Sequence, residues 1–357
     1  MVTNAEDYDA NIWLFNVQNG VVDLKTGAVS LHDRTRLLSK ISPAVYDPTA
    51  TCPLWNEFLV EVLETEEMID FVSRAAAYSL TGDINEQAVF FLHGSGANGK
   101  SVFLEVLRYI LGDYSRVCNF DTFVVKKHDS KSDNDMAQLV GRRLVLTSES
   151  QDGHRLNEAL LKQITGGDLV EARFLYKERF NFLPQFKLWF SSNYTPAIRG
   201  TDEGIWRRMK LIPFEVTIPE ERRDRRLIEK LRAEASGIFN WLLRGMARYN
   251  QIGLAYPKKV SQATSQYKAE QDVIGQFLLD RTRLNPLAKV KGAELYSTFK
   301  WWAGANREFV LTERQFTKAL LRNQKISTEK REDGKWYVGV QLIVGGPVGG
   351  EIPEDVI

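Results

Sequence analysis

Two rhythms of apolar residues alternate through the middle of the chain. Ala88-Val89-Phe90-Phe91-Leu92 is a continuous apolar run of strand length, and Val102, Phe103, Val106, Leu107, Ile110 and Leu111 then recur at helical spacing. Leu144-Val145-Leu146 reads as a second buried strand ending at Thr147-Ser148-Glu149, and Leu156 to Ile164 as a helix stopped by Gly166-Gly167. Residues Val170 to Phe182 alternate as a hairpin does, around Tyr176-Lys177-Glu178. Lys187-Leu188-Trp189-Phe190, ending at Ser191-Ser192-Asn193, and Leu211-Ile212-Pro213-Phe214 supply a third and a fourth strand. Continuously apolar strands alternating with helices predict an α/β fold with a parallel sheet covered on both faces.

The flanks follow other patterns. Ahead of the sheet, Ile12-Trp13-Leu14-Phe15 and Gly20-Val21-Val22-Asp23-Leu24 are separated by turn signals, with Lys25-Thr26-Gly27 as a tight hairpin. Leu54, Phe58, Leu59, Val62 and Leu63, then Ile69, Val72 and Ala76, follow at helical spacing. Beyond about residue 255, Val273 to Leu279, Gly292 to Trp302 and Thr312 to Leu321 read as helices, and Thr312 and Gln315 are spaced as a capping box. Ile326 to Arg331 and Lys335 to Leu342 flank Asp333-Gly334, a strong hairpin turn. Three helices and a terminal hairpin predict a winged-helix domain. The expected organisation is a small α+β and helical domain over 1–85, a nucleotide-type core over 86–255 and the winged helix over 256–344. The glycine-rich, core-poor stretch 345–357 is expected to be a disordered tail.

Composition narrows the classes. The chain has 357 residues, 43% of them hydrophobic, without an apolar run long enough to span a membrane and without a signal-peptide pattern at Met1. It is therefore expected to be cytoplasmic and to have no membrane partner. Cys52 and Cys118 are too few for a disulfide framework or a zinc site, and His32, His93, His128 and His154 lack metal-ligand spacing. A net charge of +1 excludes a uniformly basic coat, so any nucleic-acid surface must be local. Lys126-Lys127, Arg142-Arg143, Arg207-Arg208 and Lys258-Lys259 are local clusters, whereas Arg222 to Arg226 is interleaved with Glu220, Glu221 and Asp224 and reads as a solvated face.

Candidate chemistry sits where the first strand meets the first helix. Gly94-Ser95-Gly96-Ala97-Asn98-Gly99-Lys100-Ser101 fits the phosphate-loop pattern G-x-x-x-x-G-K-[ST]. In that pattern backbone N–H groups cradle phosphates at a helix N-terminus, the lysine reaches the β- and γ-phosphates and the hydroxyl binds Mg²⁺. Hydrolysis further needs a carboxylate, a polar sensor and a cation for the transition state. Glu149 ends the second strand, where a Walker B acid would stand. Asn193 ends the third, either as an amide that orients water or as a turn former before Pro196. Arg207-Arg208 is a candidate arginine finger acting across a subunit boundary, or else a surface partner of Asp202 or Glu203.

These motifs, in this order, resemble superfamily 3 helicases, especially the phage/plasmid primase-helicase and poxvirus primase-helicase group. The loop 94–101 is one carrier of the resemblance. Leu156 to Asp168 looks like the motif between Walker B and sensor 1, Phe186 to Asn193 like motif C, and Arg199 to Arg208 like the arginine-finger segment. The resemblance implies an AAA+ type core assembled as a homo-oligomeric ring, usually a hexamer, that uses ATP and Mg²⁺ to translocate on single-stranded DNA and open forked DNA. It implies that Lys100 and Ser101 hold phosphates and Mg²⁺, that Glu149 polarises the water and contacts the metal, and that Asn193 is sensor 1. Arg208 is the first choice for the finger, Arg207 the second and Arg199 the third. Many superfamily 3 helicases carry two adjacent Walker B acids, whereas Ser148 and Ser150 flank Glu149 here, which leaves a second metal-coordinating acid open. DNA contact is expected at the hairpin tip, from Lys177 to phosphate and Tyr176 or Phe174 to sugar or base, extended by Arg173 and Arg179. Phe180 and Phe182 read as core residues. The family often has an N-terminal primase or primase-polymerase domain, and nothing before residue 85 is long enough for one, so that partner is expected in a longer protein or a separate chain. A ring ATPase that acts as an origin-binding initiator or translocase, and a nucleotide-regulated binding module, are the competing readings. Glu149, Asn193 and Arg208 together argue against the last.

Overall fold

The computed structural model describes residues 7–125, 132–148, 154–198 and 203–343. The chain divides into two compact units between Ser265 and Gln266.

The first unit opens with a small antiparallel sheet of β1 (Leu14–Val17), β2 (Gly20–Asp23) and β3 (Val29–Ser30) in that order. The turn expected at Lys25-Thr26-Gly27 forms because the Asp23 carboxylate accepts from the backbone N–H of Lys25 and Thr26 and Gly27 takes φ +75°. Helices α1 (Pro53–Leu63) and α2 (Glu66–Tyr78) follow, and the helical run breaks where Glu64 adopts φ +64° and the Thr65 side chain caps α2.

Next come β4 (Val89–His93), α3 (Lys100–Leu111), β5 (Ser115–Val117), α4 (Ser132–Ala137) and β6 (Leu144–Ser148). Helix α5 (Glu158–Gly166), capped by Asn157, leads into the hairpin of β7 (Val170–Arg173) and β8 (Arg179–Phe182). β9 (Lys187–Ser192), α6 (Glu203–Trp206) and β10 (Met209–Pro213) complete the core. Five strands form one parallel sheet in the order β10-β4-β9-β6-β5, so β4 runs between β10 and the central β9, and its C-terminal end leads into the loop that starts α3. The three-residue edge strand β5 has too short a pattern to be seen in sequence. Helices α7 (Leu227–Ala233), α8 (Ala235–Ile252) and α9 (Lys258–Glu270) also lie outside the elements expected from sequence. Helix α8 packs along α2 at close range: a Cβ on Gly245 would stand 2.5 Å from the Ser73 carbonyl oxygen.

The first 85 residues share the core of the sheet rather than building one of their own. Phe15, Trp55 and Phe58 belong to the same buried cluster as Phe90, Phe103 and Trp189. The Trp55 and Phe103 rings stack at 5.7 Å, and Phe15 stacks on Tyr114 at 4.6 Å. Truncating either Trp55 or Phe103 to alanine would cost about 3–5 kcal/mol. Two buried cations join the same parts from below. Arg143 donates to the Leu80 carbonyl at 2.7 Å, and Lys187 donates to the carbonyls of Thr81, Asp83 and Gln185, its burial pulling the ammonium pKa well below the usual lysine range.

The second unit runs α10 (Val273–Arg281), β11 (Thr282–Lys291), α11 (Gly292–Ala305), α12 (Glu313–Leu320), β12 (Ser327–Arg331) and β13 (Gly334–Leu342). Its sheet is antiparallel in the order β11-β13-β12 over a separate core that includes Phe277, Phe299, Trp302 and Phe316. The capping box at Thr312 and Gln315 is present. β11 was not foreseen, because its ladder is interrupted between Asn285 and Lys289 around Pro286, which destroys the alternation a strand shows. The terminal hairpin turns one residue earlier than expected. Arg331 pairs with Gly334, so Glu332 and Asp333 form the turn, and the Asp333 carboxylate accepts from the Trp336 indole at 2.9 Å. The expected tail at 345–357 lies outside the described residues.

Candidate nucleotide-binding site

The loop from Gly94 to Ser101 owes its path to its glycines and to Asn98. A Cβ on Gly94 would stand 2.1 Å from the Phe214 carbonyl oxygen, so no other residue fits. Gly99 takes φ +83°, and a Cβ there would meet Val62 at 2.7 Å and Phe58 at 2.9 Å, both on α1. The Asn98 amide, buried, donates to the Phe214 carbonyl at 3.0 Å, and the Ile218 N–H donates to the Ala97 carbonyl at 2.8 Å. The segment leaving β10 therefore fastens the loop from the other side.

Lys100 is 5% exposed, and its ammonium donates to Gly94 O at 2.8 Å, Asn98 Oδ1 at 2.9 Å and Asn193 Oδ1 at 3.1 Å. Burial lowers its pKa to about 8, so the charged form is short of stabilisation and gains strongly from an added anion. The structure thus brings Asn193 and Lys100 together across 93 residues. A cavity of about 500 Å³ opens here, lined by Gly96 to Val102 of the loop and α3, by Leu146 and Thr147 of β6, and by Ser191, Ser192 and Asn193. Glu105 and Arg108 of α3 also line it. Glu105 bridges Arg108 at 2.5 Å and Arg232 at 2.7 Å, and the Arg108 hydrogen bond foremost holds its carboxyl below the usual range. Sequence reasoning missed this trio. The Glu105–Arg108 spacing along the loop's helix was the available signal.

The residues present fit a nucleoside triphosphate with a divalent cation. A cradle that a Cβ would fill, a buried lysine and an exposed Ser101 hydroxyl stand at the N-terminus of α3. The Thr147 hydroxyl on the facing strand is buried and has no hydrogen-bond partner among the described residues. Among the described residues no cluster of His, Cys, Asp or Glu could hold a metal by itself. Glu149 and Arg199 lie outside the described residues.

The two arginines part company. Arg208 is buried, with Nε donating to Thr165 Oγ1 at 2.9 Å and Nη1 to Gly204 O at 2.6 Å. Within the single chain it is anchored by these bonds. Arg207 is exposed and donates to Gln87 Oε1 at 3.0 Å. Both lie in the turn between α6 and β10, where the Arg207 N–H donates to Glu203 O and the Arg208 N–H to Ile205 O, and the turn carries the first to the surface and the second into the core.

The hairpin tip is solvent-exposed. Tyr176 is 95% exposed with φ +61°, and Lys177 and Arg173 are exposed beside it. Phe174 stacks on Phe180 at 5.6 Å, and Arg179 is tied to Glu171 by an ion pair. Phe182 is buried as expected, while Phe180 is half-buried. Leu175, 67% exposed, joins the tip and was not singled out from sequence.

Comparison with known proteins bears on this arrangement. Residues 1–64 match the family described as D5 N terminal like, and residues 92–208 match a family of unknown function (DUF5906). The second span holds the loop from Leu92, the hairpin, Asn193 and both arginines. A protein of Acanthamoeba polyphaga mimivirus, provisionally named helicase L207/L206, is 31% identical over 84% of this chain and 34% of its own length. A Frog virus 3 protein provisionally named helicase 022R is 28% identical over 70% of this chain and 28% of its own. An African swine fever virus protein provisionally named primase C962R is 23% identical over 84% of this chain and 34% of its own. The chain thus spans about a third of the length of these curated relatives. A solved structure described as the A form apo structure of NrS-1 C terminal region superimposes with a TM-score of 0.52 at 12% identity, covering 94% of this chain and 84% of that one, which is a likeness of fold. Among the described residues no helix is long and apolar enough to cross a membrane.

Proposed function

We propose that this chain, which its sequence relatives place in the primase-helicase group, is the ATP-driven motor of a replicative DNA helicase that works as a homo-oligomeric ring on single-stranded DNA. One observation carries the reading: the Lys100–Asn193 hydrogen bond, which joins the phosphate loop to the end of a neighbouring strand at one cavity. A pure binding site needs a grip on phosphate. A polar group set beside the γ-phosphate position on a second strand is what hydrolysis adds.

In this reading the loop N–H groups and Lys100 hold the phosphates, and Ser101 with Glu149 holds Mg²⁺. Bound there, ATP with its Mg²⁺ supplies a phosphoryl group for transfer to water. Glu149 accepts a hydrogen bond from that water and polarises it, and Asn193 orients it. Arg207 takes the first place as the cation offered to an adjacent subunit, and Arg208 positions it through Thr165 and Gly204. Lys177, Tyr176 and Arg173 contact single-stranded DNA. Priming would reside elsewhere in a longer protein or in a separate chain.

The test is ATP-dependent separation of a labelled forked duplex, with Glu149→Gln as the control. Separation that disappears in the control supports the helicase reading. DNA-stimulated hydrolysis without separation would shift it to an initiator or translocase, and absence of any hydrolysis would end it.

A further inference from the structure

The second unit carries a charged face that the motor reading does not use. Over residues 266–343 the sequence has fourteen basic and nine acidic side chains. Arg314, Lys318 and Arg322 are spaced four residues apart along α12 and the turn that ends it, and all three are exposed. That spacing stacks them on one face, while Phe316 and Leu320 on the opposite face enter the core. Among the described residues none of the three forms an ion pair, although neighbouring cations on the sheet do, as Lys289 with Glu329 and Lys291 with Asp333. The β12–β13 hairpin adds Lys330 and Lys335, and Lys335 donates to Thr317 of α12 at 2.8 Å, so hairpin and helix are held together.

Three exposed cations on one face add to a local positive potential that attracts a polyanion. An α-helix fits the major groove of B-form DNA, with phosphates on both walls, whereas the deep, narrow major groove of duplex RNA excludes it. The element order helix–strand–helix–helix–strand–strand is the one that presents such a helix in winged-helix proteins. We propose that this unit is a winged helix that binds double-stranded DNA, with Arg314 and Lys318 of α12 and Arg322 of the turn after it on the phosphates and Lys330 of the hairpin on the adjacent backbone. The face stands on a different unit from the ATP site and does not depend on the motor reading.

The test is anisotropy of a short labelled blunt duplex with the full chain across a salt series, comparing the parent with the triple variant Arg314→Ala, Lys318→Ala, Arg322→Ala. The variant is expected to bind the duplex at least about tenfold more weakly. Its log–log salt slope should shrink by about 2–3, since each phosphate contact contributes about 0.9. Single-strand-stimulated ATP hydrolysis stays at the parent level, and Lys100→Ala keeps full duplex binding, so failure of the motor reading and failure of this one separate cleanly. Lys330→Ala, made alone, gives a smaller loss of the same kind and guards against a folding defect in the triple variant. Unchanged duplex affinity and slope in both variants would overturn the proposal. So would an equal loss for a single strand of the same sequence.

Discussion

Lys100 and Lys177 are cations held in two different ways. Lys100 is buried against three oxygen acceptors, on a loop that packs against α1 on one side and the segment after β10 on the other. Lys177 stands on an exposed hairpin tip beside Tyr176 and Leu175. The first is organised before any ligand arrives, so little ordering entropy remains to be lost on binding. The second keeps its freedom, which suits a strand of any sequence and a contact that must be made and released. The loop lysine is built into the fold, and the tip lysine is hung outside it.

Three experiments break or sharpen that contrast. The largest effect is expected at Arg207, an exposed cation that would act only once a neighbour docks. Arg207→Ala should lower the hydrolysis rate by about 10³–10⁵-fold. Mixing it with Lys100→Ala subunits should restore part of the activity, although either variant alone is inactive. Full activity of pure Arg207→Ala would return the exposed arginine to an ordinary surface role.

An intermediate effect concerns the buried partner. Because burial brings the Lys100 pKa down to about 8, the unliganded protein loses that charge as pH rises through this value. A bound triphosphate favours the protonated form, so nucleotide affinity should fall by about tenfold per pH unit above it. Lys100→Arg, which stays charged, should flatten the profile in a binding titration. A parent profile that is level from pH 7 to about 10 would contradict the buried-charge account.

The smallest effect belongs to the exposed lysine. Lys177→Ala should weaken single-strand binding several-fold and reduce the salt slope by about 0.7. Basal hydrolysis should be intact. Loss of basal hydrolysis would mean that the tip is part of the built site after all.

The same contrast explains what could be read from the sequence. The phosphate loop, β4, α5, β9 and the hairpin were legible because each is a local pattern: a spacing, a rhythm or a turn dipeptide. Asn193 could be placed at a strand end, but its meeting with Lys100 is long-range and only the parallel order β4-β9 creates it. The burial of Arg208 was hidden because two consecutive arginines look alike until the turn before β10 sends one to the surface and the other inward. The core shared by Trp55, Phe103 and Phe15 was equally hidden, since apolar periodicity tells which face is buried and never against what.

The packing of Gly99 against Phe58 and Val62 bears on how the chain may be cut. Helix α1 is the back wall of the phosphate loop, and the turn after α2 receives Arg143 and Lys187 from the ends of the sheet. A fragment begun at residue 86, where sequence motifs would invite a minimal ATPase, would uncover Phe103 and leave two buried cations facing missing carbonyls. The first 85 residues and the parallel sheet share one core. They can be swapped between relatives together, and a chimera joined between them must rebuild the wall as well as the loop.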